Sequence, residues 1–84
     1  MNIYVGNLDF KVNESDLEKI FGEHGSVSSA KIITDKFTGR SKGFGFVTMD
    51  DDSEANNAIK ALNGANLSNR DITVNEAKPR KTSY

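Results

Sequence analysis

One stretch, KGFGFVTM over residues 42–49, limits the folds open to this chain more than any other. In a β-strand, the side chains of such a stretch point alternately to two faces. The face that suits a core carries Gly45, Val47 and Met49. The opposite face carries Phe44 and Phe46, and a small domain does not usually leave two large aromatic side chains on a water-facing sheet surface without something that covers them. The stretch therefore predicts a central strand with a binding surface on its outer face.

Hydrophobic periodicity along the rest of the chain predicts two amphipathic helices and three more strands. Asn13 with Asp16 resembles a capping box at the start of the first helix, which would bury Leu17 and Phe21. A polar, basic hairpin loop joins the second and third strands. The predicted elements are a strand over residues 2–6, a helix from Asn13 to a stop at Gly25, a strand over 27–33, the strand described above, a helix between Asp50–Asp52 and Asn63-Gly64, and a strand over 71–77.

The resulting order, β-α-β-β-α-β, favours a four-stranded antiparallel sheet with both helices on one face. Right-handed crossovers place the two helices on the same side of the sheet, and the first and third strands become its central neighbours. The opposite face stays open. Its central outward residues are Tyr4, Phe44 and Phe46, so three aromatic side chains are expected to collect there.

Two segments resemble the signature motifs of the RNA recognition motif family. Residues 42–49 are similar to its ribonucleoprotein octamer, and residues 3–8, IYVGNL, resemble its companion hexamer. The chain departs from the family pattern at Met49, where phenylalanine or tyrosine is usual, and at His24, where an aromatic residue is usual. Because Met49 faces the core by alternation, that departure should affect packing and leave the open face unchanged.

The resemblance covers residues 2–78, and the short chain is similar to the single-motif RNA-binding proteins of bacteria. It implies an α+β, ferredoxin-like β-α-β-β-α-β fold. The domain is expected over residues 1–78, followed by a basic, flexible tail over residues 79–84.

The resemblance also implies roles for individual side chains on the open face. Tyr4 and Phe46 would each stack on one base, Phe44 would pack against the sugars between them, and Lys42 would contact a phosphate. The expected partner is single-stranded RNA, with single-stranded DNA bound more weakly, because duplex RNA hides its base faces. The role would extend to post-transcriptional regulation or RNA chaperoning. Further phosphate or specificity contacts are expected from Lys31, Ile33, Arg40, Thr73, Asn75, Lys78 and Arg80.

Charge is distributed unevenly, although the formal net charge is only −1. Residues 31–48 contain four basic residues against one acidic residue, whereas both predicted helices are acidic. The absence of cysteine excludes disulfides and fits a reducing, cytoplasmic location. No signal peptide, membrane span, cofactor motif, metal cluster or catalytic pair is expected, so the prediction is a monomeric binding domain that is not an enzyme.

Two alternatives remain open for the aromatic side chains. Tyr4, Phe44 and Phe46 could be ordinary sheet aromatics that the tail or a partner covers. A protein-interaction module could also use the same open sheet, or the acidic helices, to bind a peptide. Aromatic residues at all three positions favour RNA.

Four other features have simpler structural interpretations. Gly45 is interpreted as a position where a helix approaches closely, and not as part of a phosphate-binding loop, because no third glycine opens a helix. Asp50–Asp52 are interpreted as a helix cap and not as a cation site. His24 is assigned to packing at a helix end. The loop around Arg40 could either clamp RNA or lie free in solvent.

Overall fold

The structure is a computed structural model and describes residues 1–77. The predicted order of helices and main strands is confirmed, with two additional short strands. The proposed tail over residues 79–84, and residue 78 before it, lie outside the described residues. The elements are β1 (Asn2–Gly6), α1 (Glu14–Gly22), β2 (Ser29–Thr34), β3 (Ser41–Thr48), α2 (Asp52–Leu62), β4 (Asn66–Leu67), β5 (Arg70–Asp71) and β6 (Thr73–Glu76).

The main sheet has four antiparallel strands in the order β2-β3-β1-β6. The two central strands are therefore β1 and β3, as the crossover argument predicts. Both strands alternate as predicted. Ile3, Val5 and Val47 are fully buried on the inner face, whereas Tyr4 and Phe46 lie on the outer face.

The core lies between this sheet and the two helices, which cover the same face. Phe21 is the largest fully buried side chain, and Leu17 lies one turn before it on α1. The helix α2 contributes small residues, Ala55 and Ala58, which bring it close to the strands. Met49 is also fully buried, so the departure from the family octamer lies in the core and not on the open face, as predicted.

The helix starts follow the sequence signals, but one helix end does not. Asn13 caps α1 with the reciprocal bonds of a capping box: Asp16 N–H donates to Asn13 Oδ1 at 2.9 Å, and Asn13 N–H donates to Asp16 Oδ2 at 3.1 Å. The predicted stop at Gly25 is wrong, because α1 ends at Gly22 with Glu23 as its C-cap. Gly25 is instead a close-packing position, where an added Cβ would lie 2.6 Å from the Cβ of Glu54.

The aspartates before α2 act as a cap, as interpreted from the sequence. Asp51 is the N-cap, and its Oδ1 accepts from Glu54 N–H at 2.9 Å. Asp50 accepts from Ser28 Oγ at 2.6 Å. Within residues 1–77 no group of three acidic, histidine or cysteine side chains could hold a metal ion. The helix ends at Leu62 with Asn63 as C-cap, and Gly64 follows with φ of +84°.

Gly45 makes room for a neighbouring strand, so the predicted close approach of a helix is wrong. A Cβ at Gly45 would clash with the backbone oxygen of Lys31 and lie 3.2 Å from the Cα of Ile32. Both atoms belong to β2, which pairs irregularly with β3 between Ile32 and Thr34. A side chain at Gly45 would therefore push β2 away from the centre of the sheet.

Strands β4 and β5 form a small hairpin that the sequence did not predict. Two residues per strand are too few to show alternation, so the sequence indicated only a turn around Leu67 and assigned Asp71 to the last main strand, which in fact begins at Thr73. The hairpin loop consists of Ser68 and Asn69, which both have positive φ, at 53° and 69°. In the part of the chain that the structure describes, neither helix is long and apolar enough to cross a membrane.

Candidate functional site

Three aromatic rings meet at the centre of the open sheet face, as predicted. The ring centroids of Tyr4 and Phe46 lie 5.9 Å apart, those of Tyr4 and Phe44 6.0 Å, and those of Phe44 and Phe46 6.3 Å. The rings are tilted or edge-on to one another and so brace each other against the sheet. Phe46 is 37% exposed, and Tyr4 and Phe44 are half-buried. We call these three residues the platform.

Strand register places polar side chains at both ends of a row through the platform. Lys31 pairs with Phe46, Phe46 with Tyr4, and Tyr4 with Asn75. Residues that pair in this way lie side by side on one face of the sheet. Lys31 and Asn75, both exposed, therefore flank the two outward rings of the central strands, one on each edge strand.

The position of the Tyr4 ring depends on the glycine two residues later. Gly6 lies on the same face of β1 as Tyr4 and is buried beneath its ring. A Cβ at Gly6 would lie 2.5 Å from Tyr4 Oη and 2.9 Å from Tyr4 Cζ. The ring therefore lies along the strand only because residue 6 has no side chain.

For the RNA binding that the sequence resemblance implies, we expect Gly6→Ala to cost about 1 kcal/mol, the lower end of the roughly 1–3 kcal/mol that a stacked base contributes. The methyl group displaces the Tyr4 ring, while the strand itself accepts alanine. The dissociation constant for a short single-stranded RNA and the NMR signals of the Tyr4 ring measure the effect. Gly22→Ala is the matched control, since no atom lies within 4 Å of its added Cβ. Unchanged affinity together with unchanged Tyr4 signals would contradict this view of Gly6.

A pocket of about 330 Å³ opens beside the platform and shares two of its rings. Lys42, predicted to contact phosphate, lies on its rim and is exposed. The sequence analysis did not single out Asn7, Phe10 or Arg70 as binding residues. The lining of the pocket includes Tyr4, Asn7, Phe10, Lys42, Phe44 and Arg70.

Two hydrogen bonds fix the cationic side of this pocket. Arg70 Nη2 donates to Asn7 Oδ1 at 3.0 Å, and Asn7 Nδ2 donates to the carbonyl oxygen of Asp71 at 2.7 Å. Asn7 itself has a positive φ of 56°, which asparagine tolerates better than most residues. The contact joins residues 63 positions apart in the chain, so no local sequence pattern could have indicated it.

Arg40 lies on the β2–β3 loop and not on the sheet. The loop is closed by backbone bonds, including one from Asp35 N–H to the carbonyl oxygen of Arg40 at 2.8 Å. Asp35 Oδ1 accepts from Phe37 N–H at 2.7 Å and from Thr38 N–H at 3.1 Å. These two bonds lower the pKa of Asp35 from its ordinary value, and the positive charge of Lys42 lowers it further. The carboxylate therefore stays ionised at a lower pH than an ordinary aspartate and holds the turn.

The cationic side chains near the platform are available to a ligand. Lys31, Lys42 and Arg70 are exposed, and none forms an ion pair with an acidic side chain of residues 1–77. Two other predicted contact residues, Lys78 and Arg80, lie outside the described residues. His24 is half-buried beyond the end of α1, where its N–H donates to the carbonyl oxygen of Phe21 at 3.0 Å.

A family model described as RNA recognition motif matches residues 3–73. The chain belongs to the RNA recognition motif family. The match spans β2, β3 and both helices and nearly all of β1, includes the two motifs that carried the resemblance, and ends at the first residue of β6.

Similar proteins and structures agree with this assignment. RbpA of Synechocystis sp. is 52% identical to this chain over 81 residues, which cover 96% of this chain and 80% of RbpA. The crystal structure of RNA Binding Protein PG1 superposes with a TM-score of 0.92 at 48% identity, over 96% of this chain and 98% of that one. The Sxl-lethal protein/RNA complex gives a TM-score of 0.89 at 30% identity, over 98% of this chain and 49% of the other.

Proposed function

We propose that this RNA recognition motif binds single-stranded RNA on its open sheet face by stacking bases on the platform. The observation that carries the proposal is the cluster of three aromatic rings, 5.9–6.3 Å apart, on a sheet face that no element of residues 1–77 covers. The similar Sxl-lethal domain was solved as a protein/RNA complex. That relative supports RNA over a peptide ligand.

The row of paired residues Lys31, Phe46, Tyr4 and Asn75 indicates how the RNA strand is recognised. Tyr4 and Phe46 each offer a ring to one base, and Phe44, beside both rings, packs against the sugars between the two bases. Stacking accepts every base, because every base has a π-face. Discrimination therefore falls to the hydrogen-bonding groups at the ends of the row, Lys31 and Asn75, which flank the stacked pair.

Binding of this kind is weak and only modestly dependent on salt. Two stacked bases contribute roughly 2–6 kcal/mol in total, against an association cost of several kcal/mol. Stacking alone therefore falls short of the about 8 kcal/mol that a micromolar dissociation constant requires. Phosphate contacts and hydrogen bonds supply the remainder of the micromolar binding that we expect for a short oligonucleotide. With two or three phosphate contacts, the slope of log K against log salt is about −2 or shallower. The proposal includes a monomer in the cytoplasm and no catalysis.

An NMR titration tests the proposal. A randomised single-stranded RNA hexamer is added to the labelled protein, and a hairpin of the same composition is added separately. The single strand should shift the amides of β1 and β3 and bind more tightly than the hairpin stem, because only its base faces are free to stack. Shifts confined to α1 and α2, or tighter binding of the stem, would contradict it.

A further inference from the structure

The pocket beside the platform has the size and the walls of a site for one nucleotide. Its volume of about 330 Å³ lies at the lower end of the roughly 300–1,000 Å³ found for small-ligand sites. Tyr4 and Phe44 belong both to the pocket and to the platform. An RNA strand that lies on the platform can therefore enter the pocket without leaving the protein surface.

Phe10 forms an aromatic wall of the pocket and is held there from both sides. Its side chain is 67% exposed, while Leu8 and Val12, two residues before and after it, are buried. Leu8 N–H also donates to the carbonyl oxygen of Gly43 at 2.8 Å. Gly43 has a φ of +88°, and a Cβ built there would lie 3.8 Å from Phe10 Cε1. The loop thus keeps Phe10 out of the core and beside β3.

Two cations complete the pocket, one of them held in place by a side chain. Arg70 uses one N–H for its bond to Asn7 Oδ1. A guanidinium group has five N–H donors, so four remain for a ligand. Lys42 adds a second positive charge to the lining. Phosphate oxygens are the acceptors that such a pair suits best.

We propose that this pocket binds the nucleotide next to the two that stack on Tyr4 and Phe46. Its base lies against Phe10, and its phosphate pairs with Arg70 and Lys42. Asn7 is a positioning residue, since it acts through Arg70. This inference rests on the proposed function, because the platform delivers the strand to the pocket.

Oligonucleotides of increasing length test the pocket separately from the platform. Dinucleotides, trinucleotides and tetranucleotides of one base are titrated against the wild type, Phe10→Ala and Arg70→Ala. The wild type should gain about tenfold in affinity between the dinucleotide and the trinucleotide, whose third nucleotide enters the pocket. Both variants should lose this gain and bind the dinucleotide as the wild type does. Phe37→Ala and Lys60→Ala, which replace exposed residues outside the pocket, should keep it.

A fluorescence variant locates the added nucleotide directly. The chain has no tryptophan, so Phe10→Trp carries a single tryptophan in the pocket wall. Its emission should be quenched by the longer RNA and not by the dinucleotide, and Phe37→Trp should respond to neither. Retention of the full length-dependent gain in Phe10→Ala and Arg70→Ala, or equal quenching by all lengths, would overturn the pocket assignment. Failure of the platform itself would appear differently, as dinucleotide binding that Phe46→Ala does not weaken.

Discussion

Replacement of both Tyr4 and Phe46 by alanine should lower the affinity for single-stranded RNA by about 2–6 kcal/mol, since each removes one stacked base worth roughly 1–3 kcal/mol. From a micromolar starting point, the dissociation constant should rise to between tens of micromolar and tens of millimolar. Fluorescence anisotropy with a labelled hexamer measures the loss. The fold should persist, because both side chains lie on the outer face, away from the core.

Phe37→Ala is the matched control for this double substitution. It removes an equally large ring that is 97% exposed on the β2–β3 loop, outside the platform. Because the rings of Tyr4 and Phe46 are in contact, the losses of binding free energy in the two single variants should not sum to the loss in the double variant. A double-mutant cycle measures this coupling. A double variant that binds within threefold of the wild type would show that RNA does not bind by stacking on these rings.

Phe21→Ala should have the opposite profile, with a large loss of stability and no direct loss of RNA contact. Phe21 is fully buried between α1 and the sheet, and such a deletion costs about 3–5 kcal/mol in transfer and cavity terms. That is a large part of the roughly 5–15 kcal/mol that holds a domain folded. Urea unfolding measures the change in free energy.

The folded fraction of Phe21→Ala should bind RNA as the wild type does, once its population is taken into account. Phe37→Ala is again a suitable comparison, and its unfolding free energy should move by less than about 0.5 kcal/mol because its ring contacts almost nothing. A loss below 1 kcal/mol for Phe21→Ala would mean that this ring does not anchor the core. A reduced affinity in the fully folded population would mean that the core controls the platform.

The sequence predicted the fold well where side chains alternate or repeat with a helical period. The platform could be predicted because Tyr4, Phe44 and Phe46 sit at outward positions of strands whose inward partners are apolar, and strand order follows from the crossovers. Local signals also placed Asn13 and Asp51 at the helix starts.

Long-range contacts account for what the sequence did not predict. The sequence analysis assigned Gly45 to the close approach of a helix and Gly25 to a helix end. In the structure, a side chain at Gly45 would clash with the backbone oxygen of Lys31, and one at Gly25 would clash with the side chain of Glu54. Only the folded chain brings these residues together. The pocket depends on the hydrogen bond between Asn7 and Arg70. Arg70 lies in the hairpin of β4 and β5, which the sequence did not predict. A two-residue strand has no periodicity to detect.

The 5.9 Å between the ring centroids of Tyr4 and Phe46 has a consequence for the RNA itself. Neighbouring bases in a nucleic-acid helix follow at roughly 3.4 Å along each strand, so two bases that rest on separate rings are too far apart to stack on each other. In the proposed complex, the two stacked nucleotides are therefore held apart and cannot pair within a hairpin stem. By mass action, protein at 100 times its dissociation constant favours the opened RNA by about 2.7 kcal/mol, comparable with about two base-pair steps at roughly 1.4 kcal/mol each. Under the proposed stacking, we therefore expect the weakest hairpins of a transcript to open first as the protein accumulates.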